Sequence, residues 1–171
     1  VFKHMGPRVL GLAVNQINFV VMTMIASLLA VGSVTMLQFA YNLNFFPIGV
    51  IGVSYAIAAF PSFCEQYNKR NKTGFINMFS STARQMLFFI VPATVIFILL
   101  RAQIVRVVLG AGQFDWDATI TTADTLGFFA ISFFAQAFVF ILVRAYFAQS
   151  NTWTPFFVGV MSAFINIVAA W

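Results

Sequence analysis

Residues 45–61 read FFPIGVIGVSYAIAAFP. This stretch carries no charge, yet it holds two prolines and two glycines. A helix in the core of a soluble protein would be damaged by that content, because proline removes a ladder donor and glycine disfavours the helix. A membrane helix tolerates both where neighbouring helices or a water-lined cavity satisfy the freed backbone groups. The stretch therefore reads as a bent helix within a transporter or channel rather than as a passive anchor.

The rest of the chain agrees. Of its 171 residues, 61% are hydrophobic and 8% are charged, and 23 are phenylalanine. Soluble domains carry about 25% charged residues. So little charge cannot cover a water-facing surface, and lipid must face much of the molecule. The formal net charge of +5 comes from dispersed basic residues with no aromatic-basic groove, which argues against nucleic acid. Cys64 is alone, so it forms no internal disulfide and anchors no metal cluster; it reads as a small apolar filler. Residues 1–8 lead directly into an apolar helix without a cleavable signal. Both ends read as cut from a longer polypeptide.

Five apolar segments are expected, at 12–31, 34–63, 75–100, 118–148 and 155–171, giving an all-α, polytopic membrane helix bundle. The second is longer than one straight span needs and should tilt, or bend at Pro47. Asp115 or Asp117 is expected to cap the fourth, and Thr154 with Pro155 to open the fifth. Between the third and fourth, Arg101–Leu109 looks amphipathic and suits the membrane interface, with 110–112 as its break. The N-terminus, the second-to-third loop and the fourth-to-fifth loop share one side. That side carries Lys3, Arg8, Lys69, Arg70 and Lys72, with Arg84 and Arg144 near it. The lysine-arginine bias makes it the cytoplasmic side, with residue 1 inside.

Polar residues within the spans are the candidate site. Gln16, Thr23 and Ser27 form a small polar stripe with Ala13 and Ala30, suited to helix packing or to lining a cavity. Asn15 and Asn18 point elsewhere on the same segment. Gln38, Asn42, Gly49, Gly52 and Ala56 fall near one face, polar before Pro47 and small after it. Asn42 and Asn44 are the best placed for ligand contact, because Pro47 frees carbonyls nearby. Pro47, Gly49 and Gly52 would set the bend and the close packing. Arg84 and Arg144 either snorkel to headgroups or meet an anionic headgroup in a cavity. Asp124 suits the N-terminal dipole of its helix. His4 is the sole histidine, and the few acids do not pair, so no catalytic constellation and no metal site is expected.

Particular words in the sequence then matter more than composition. PRVLGLAVNQIN, TMIAS, GSV, FPIGVIGVSYAIAAFP, IVRVVLGAGQFDW and RAYFAQSNTWTP occur in this order. Together they resemble the MurJ/MviN family of lipid II flippases, in the multidrug/oligosaccharidyl-lipid/polysaccharide exporter superfamily. The resemblance covers nearly the whole chain. It implies the opening five helices of the second lobe of a two-lobed flippase, lacking its N-terminal lobe. It implies a bacterial cytoplasmic membrane protein, not an enzyme. Such a protein moves an undecaprenyl-pyrophosphate-linked peptidoglycan precursor from the inner to the outer leaflet by alternating access, driven by membrane potential or an ion gradient. No cofactor is implied beyond a sodium ion, for which Asn166 could be a ligand alongside Gln16 or Asn18. In many relatives the position matching Asn42 is an arginine implicated in pyrophosphate binding, whereas an amide here donates hydrogen bonds without charge. The alternatives are a related exporter of another polyprenyl-linked oligosaccharide or a small cation, and a non-transporting membrane scaffold.

Overall fold

The structure is a computed structural model, which describes residues 2–28, 32–110 and 116–170; the side chains of 2–12, 14, 15, 169 and 170 are outside that description. The expected cap at Asp115, residues 111 and 112 of the expected break, Ala30, and the side chains of Lys3, His4, Arg8 and Asn15 all fall outside it. Among the described residues all regular structure is helical: α1 (Phe2–Ser27), α2 (Ser33–Pro47), a π-helical segment (Ile48–Val53), α3 (Ser54–Asn68), α4 (Lys72–Leu99), α5 (Arg101–Leu109), α6 (Trp116–Ile131), α7 (Phe133–Ala148) and α8 (Trp153–Ala170). The fold is an all-α membrane helix bundle. Ser33–Asn68 and Lys72–Leu99 are each long and apolar enough to cross a bilayer, and α6 with α7 can serve as a third, bent span. Gln16–Ser27 and Trp153–Val168 are shorter apolar helices.

The helices fall into two compact units. In one, residues 1–34 and 146–171, α1 packs along α8. In the other, residues 35–145, α4 packs on α3 and α6, and α5 packs on α6. The second unit has a buried cluster of Ala40, Val105, Ala123 and Leu126, flanked by Leu43, Phe97, Ile104, Leu109 and Phe129. Phenylalanine supplies much of the remaining packing. Phe63 meets Phe75 and Phe79 at 5.4 and 6.3 Å, Tyr55 meets Phe89 at 6.2 Å, and Phe97 meets Phe133 at 5.2 Å. Outward surfaces are apolar as well: Phe128 is 78% exposed and Val107 is 85% exposed. Hydrocarbon, not water, is the solvent that suits such a surface.

Pro47 does not interrupt its helix. The proline nitrogen cannot donate, and its ring crowds the preceding turn. The ladder responds by widening to a π-helical segment at Ile48–Val53 and then resumes as α3. The expected bend at Pro47 thus takes the form of a wide turn. The fourth expected segment also differs from a single helix over 118–148. It breaks at Ser132, and α6 and α7 meet at a bend of 49°. No proline or glycine lies there. Instead Ser132 N donates to Phe129 O at 3.0 Å, and Ser132 Oγ donates to the same carbonyl at 2.8 Å, which closes the turn early.

Two helix–helix turns are built alike. After α3, Arg70 N donates to Tyr67 O and Asn71 N to Gln66 O; after α7, Ser150 N donates to Phe147 O and Asn151 N to Tyr146 O. This is the Schellman closure, with Arg70 (φ 53°) and Ser150 (φ 56°) in the left-handed position that glycine usually fills. The next residue is an asparagine that opens the following helix. Asn71 Oδ1 accepts from Gly74 N at 2.9 Å, and Asn151 Oδ1 accepts from Thr154 N at 3.2 Å. The expected cap at Thr154 is therefore displaced: Asn151 caps, and Thr154 and Pro155 lie within the first turn. Gly74 leaves room for the side-chain carboxamides of Gln66 and Asn71, which a Cβ there would displace.

Candidate functional site

The candidate polar residues are divided between the two units. In the first, Thr23 Oγ1 donates to Phe19 O at 2.8 Å and Ser27 Oγ to Met24 O at 2.6 Å, so both hydroxyls are used within α1. Gln16 is exposed on α1, and Asn166 is exposed on α8. Asn18 is half-buried, and its Oδ1 has no hydrogen-bond partner.

In the second unit, Gln38 and Asn42 are exposed one turn apart on α2. Asn44 differs from its neighbour: it is 1% exposed, and its Oδ1 is unpartnered. The expectation that Asn42 and Asn44 serve together as ligand contacts is corrected for Asn44, whose carboxamide turns into the packed side. Gly49 is half-buried and Gly52 is buried. A Cβ on Gly52 would stand 2.9 Å from Ala137 Cβ and 3.0 Å from its Cα, so α7 lies directly on this glycine.

Arg84 and Arg144 belong to a different level. The Arg144 guanidinium carbon lies 5.7 Å from the centre of the Phe60 ring. Arg84 is exposed on α4, with a long contact of 3.4 Å to Ser80 Oγ. The Tyr55–Phe89 and Phe63–Phe79 contacts make α3 and α4 antiparallel, which sets Arg84 beside the Phe60 level. From Asn42 to Phe60 is about 27 Å of helix. The exposed amides and the two arginines are thus two polar zones near opposite ends of one long helix.

Asp124 and Arg101 form a pair that the sequence did not announce. Asp124 lies two turns inside α6, beyond reach of its N-terminal dipole, and its Oδ1 is 3.1 Å from Arg101. The Arg101 side chain runs over Gly127, where a Cβ would meet it at 3.1–3.2 Å. Arg106 lies 5.0 Å over the Trp116 ring. Both arginines thus tie α5 to α6. Among the described residues no three of His, Cys, Asp and Glu gather as a metal site would need.

Comparison with known proteins places this geometry. A family model described as lipid II flippase MurJ matches residues 1–171. A probable lipid II flippase MurJ of Buchnera aphidicola subsp. Acyrthosiphon pisum is 28% identical over 166 residues, covering 97% of this chain and 32% of the relative. The corresponding protein of Thermotoga maritima is 27% identical over 158 residues, covering 91% of this chain and 32% of its own length. Among solved structures, lipid II flippase MurJ in an inward closed conformation superposes with a TM-score of 0.83 at 27% identity, covering 92% of this chain and 33% of that one. The chain spans about a third of the length of the curated relatives it matches. Its apolar helices are those of a multi-pass inner-membrane protein. The chain belongs to the MurJ lipid II flippase family, a family of transporters rather than of catalysts.

Proposed function

We propose that this chain forms part of a flippase that carries a lipid-linked peptidoglycan precursor, lipid II, from the inner to the outer leaflet by alternating access. No covalent step is needed. A charged headgroup requires a polar route past hydrocarbon while its polyprenyl tail stays in lipid. The observation that carries this reading is the pair Gln38 and Asn42, two amides exposed on a long apolar helix that has no charged residue from 33 to 64. An amide facing hydrocarbon would be left without partners at a cost of a few kcal/mol. A wet route supplies those partners.

In this reading Gln16, Thr23 and Ser27 give α1 a polar stripe of its own for lining such a route. Arg84 and Arg144 serve the cytoplasmic gate, where Lys69, Arg70 and Lys72 mark the inner side by the positive-inside rule. Asn166, with Asn18 and its unpartnered oxygen on the neighbouring α1, is the candidate for a sodium ion that couples transport to a gradient, with membrane potential as the other drive. The remainder of the longer flippase supplies the opposing lobe.

The test is complementation. The host's flippase is depleted, and the full-length parent is supplied intact or with Gln38→Leu and Asn42→Leu together. The intact protein should restore lipid II at the outer surface, and the double variant should not. Equal rescue by both, with equal amounts in the membrane, would remove these amides from the route. No rescue by the intact protein would reject the substrate assignment.

A further inference from the structure

The outward face of α2 combines amides with aromatic rings. Ala40, Asn44 and Pro47 are the buried residues of this helix and mark its packed side. At about 100° per residue, Thr35, Gln38, Asn42, Phe45 and Phe46 all fall within about 60° of the opposite direction. All five are exposed, Phe45 at 47% and Phe46 at 66%. The stripe covers about 16 Å of helix. It presents a hydroxyl, then two carboxamides one turn apart, then two phenyl rings side by side. The Phe45 ring lies over Gly49, where a Cβ would stand 3.5 Å from its Cε1, so the helix itself backs that ring.

Three kinds of neighbour suit this face poorly. Hydrocarbon leaves the carboxamides without partners. A helix seam in a membrane favours small residues that let backbones approach, and two outward phenylalanines hold a neighbouring backbone off. A phosphate calls for cations, and no Lys, Arg or His lies from 33 to 64. A sugar ring matches better. Its hydroxyl and acetamido groups both donate and accept, as a carboxamide does. The C–H groups on one side of the ring are apolar and weakly positive, which suits the negative face of a phenyl ring.

We propose that residues 35–46 present a carbohydrate-binding face. Gln38 and Asn42 hydrogen-bond the substituents of an N-acetylated hexose, and Phe45 and Phe46 stack against its C–H side. The ligand class is the neutral sugar portion of a polyprenyl-linked headgroup. This rests on the transport reading above and deepens it, because it makes the sugar, not the phosphate, the part that this face selects.

The experiment measures binding to the full-length parent in detergent with two probes. One is undecaprenyl pyrophosphate; the other is the same lipid carrying an N-acetylated disaccharide without a peptide, whose own amides would otherwise answer for the sugar. The readout is the ratio of the two affinities, in which effects on the shared pyrophosphate and tail cancel. The intact parent should prefer the disaccharide lipid. Phe45→Leu with Phe46→Leu keeps apolar bulk and removes the rings, and Gln38→Leu with Asn42→Leu removes the amides. Each pair should lower the preference by about fivefold or more, the worth of a lost hydrogen bond or ring contact. Binding of undecaprenyl pyrophosphate reports that a variant is folded; a pair that fails this is replaced by Phe46→Leu or Asn42→Leu alone. A preference unchanged in the ring variant or in the amide variant overturns the carbohydrate face and leaves the transport reading standing. An intact parent that does not prefer the disaccharide lipid rejects the lipid II reading, and this face with it.

Discussion

Gly52→Ala is the sharpest test of how the long helix packs. The added Cβ would stand 2.9 Å from Ala137 Cβ and 3.0 Å from Ala137 Cα. Carbon atoms rest at about 3.5–4.0 Å, so the helices must part by roughly 0.6–1 Å. The obstacle is backbone and its first carbon, which no rotamer change can move. Overpacking of this kind costs about 1–3 kcal/mol, and a backbone obstacle belongs in the upper half of that range. Replacing glycine by alanine in a helix returns about 1 kcal/mol. The net expectation is about 1–2 kcal/mol of destabilisation, read as a lowered midpoint of the full-length parent in detergent. Ala137→Gly removes the nearer of the two obstructing carbons, Cβ, and leaves Cα in place. The double variant should therefore sit above the sum of the two single effects, with a coupling of about 1 kcal/mol, within the range found for residues in contact. A Gly52→Ala protein as stable as its parent, or singles that simply add, would refute the contact.

Three residues outside the candidate route carry further expectations. Arg70→Gly and Ser150→Gly should each raise the midpoint, because both residues stand at positive φ, where a non-glycine residue costs about 1 kcal/mol. Part of that gain is returned through the freer unfolded chain. A fall for both would mean that the left-handed turns are not as described. Asp124→Asn should cost little, about 0–1 kcal/mol, since both side chains of the Arg101–Asp124 pair are about half exposed. The difference from the parent should shrink as salt is added, and a salt-independent loss would count against an ion pair.

The membrane bundle was legible because the scarcity of charge leaves lipid as the only suitable surroundings, and the family was legible in ordered words such as FPIGVIGVSYAIAAFP. What was not legible needed neighbours. Asn42 and Asn44 are two residues apart, which puts them on opposite sides of a helix, but only the position of α6 and α7 decides which side is closed. Pro47 announces a break without saying that the ladder widens instead of stopping. Ser132 lies in AISFFAQ, where no residue breaks a helix by itself, so the 49° bend has no sequence signal. Arg101 and Asp124 belong to different helices and are separated by too many residues for any helical spacing to pair them. The Asn71 and Asn151 caps did carry a signal, an asparagine three residues before the backbone donor that it accepts from. The pull of Thr154-Pro155 hid the second.

The charge missing from the amide zone gives the last expectation. Asn42 is exposed, and no Asp, Glu, Lys, Arg or His lies on its helix from 33 to 64. Arg84 and Arg144 lie at the Phe60 level, about 27 Å along the helix, well beyond the roughly 8–10 Å over which a charge is felt in salt water, while Arg101 and Arg106 on α5, which packs near Ala40, are engaged by Asp124 and the Trp116 ring. On the proposed route Asn42 would itself offer a pyrophosphate hydrogen bonds without charge. Asn42→Arg would place a cation there. At 4 Å, one charge pair is worth about 1 kcal/mol in water and about 4 kcal/mol in a partly excluded site. Taking the lower part of that range, affinity for undecaprenyl pyrophosphate should rise about 5–30-fold at low salt. The gain should decay as ionic strength rises, and Asn42→Gln should not reproduce it. Binding to the full-length parent in detergent, measured at two salt concentrations, reads the effect. If Asn42→Arg binds no better than the parent at low salt, the pyrophosphate does not pass Asn42, and the exposed amides of α2 serve something other than the headgroup.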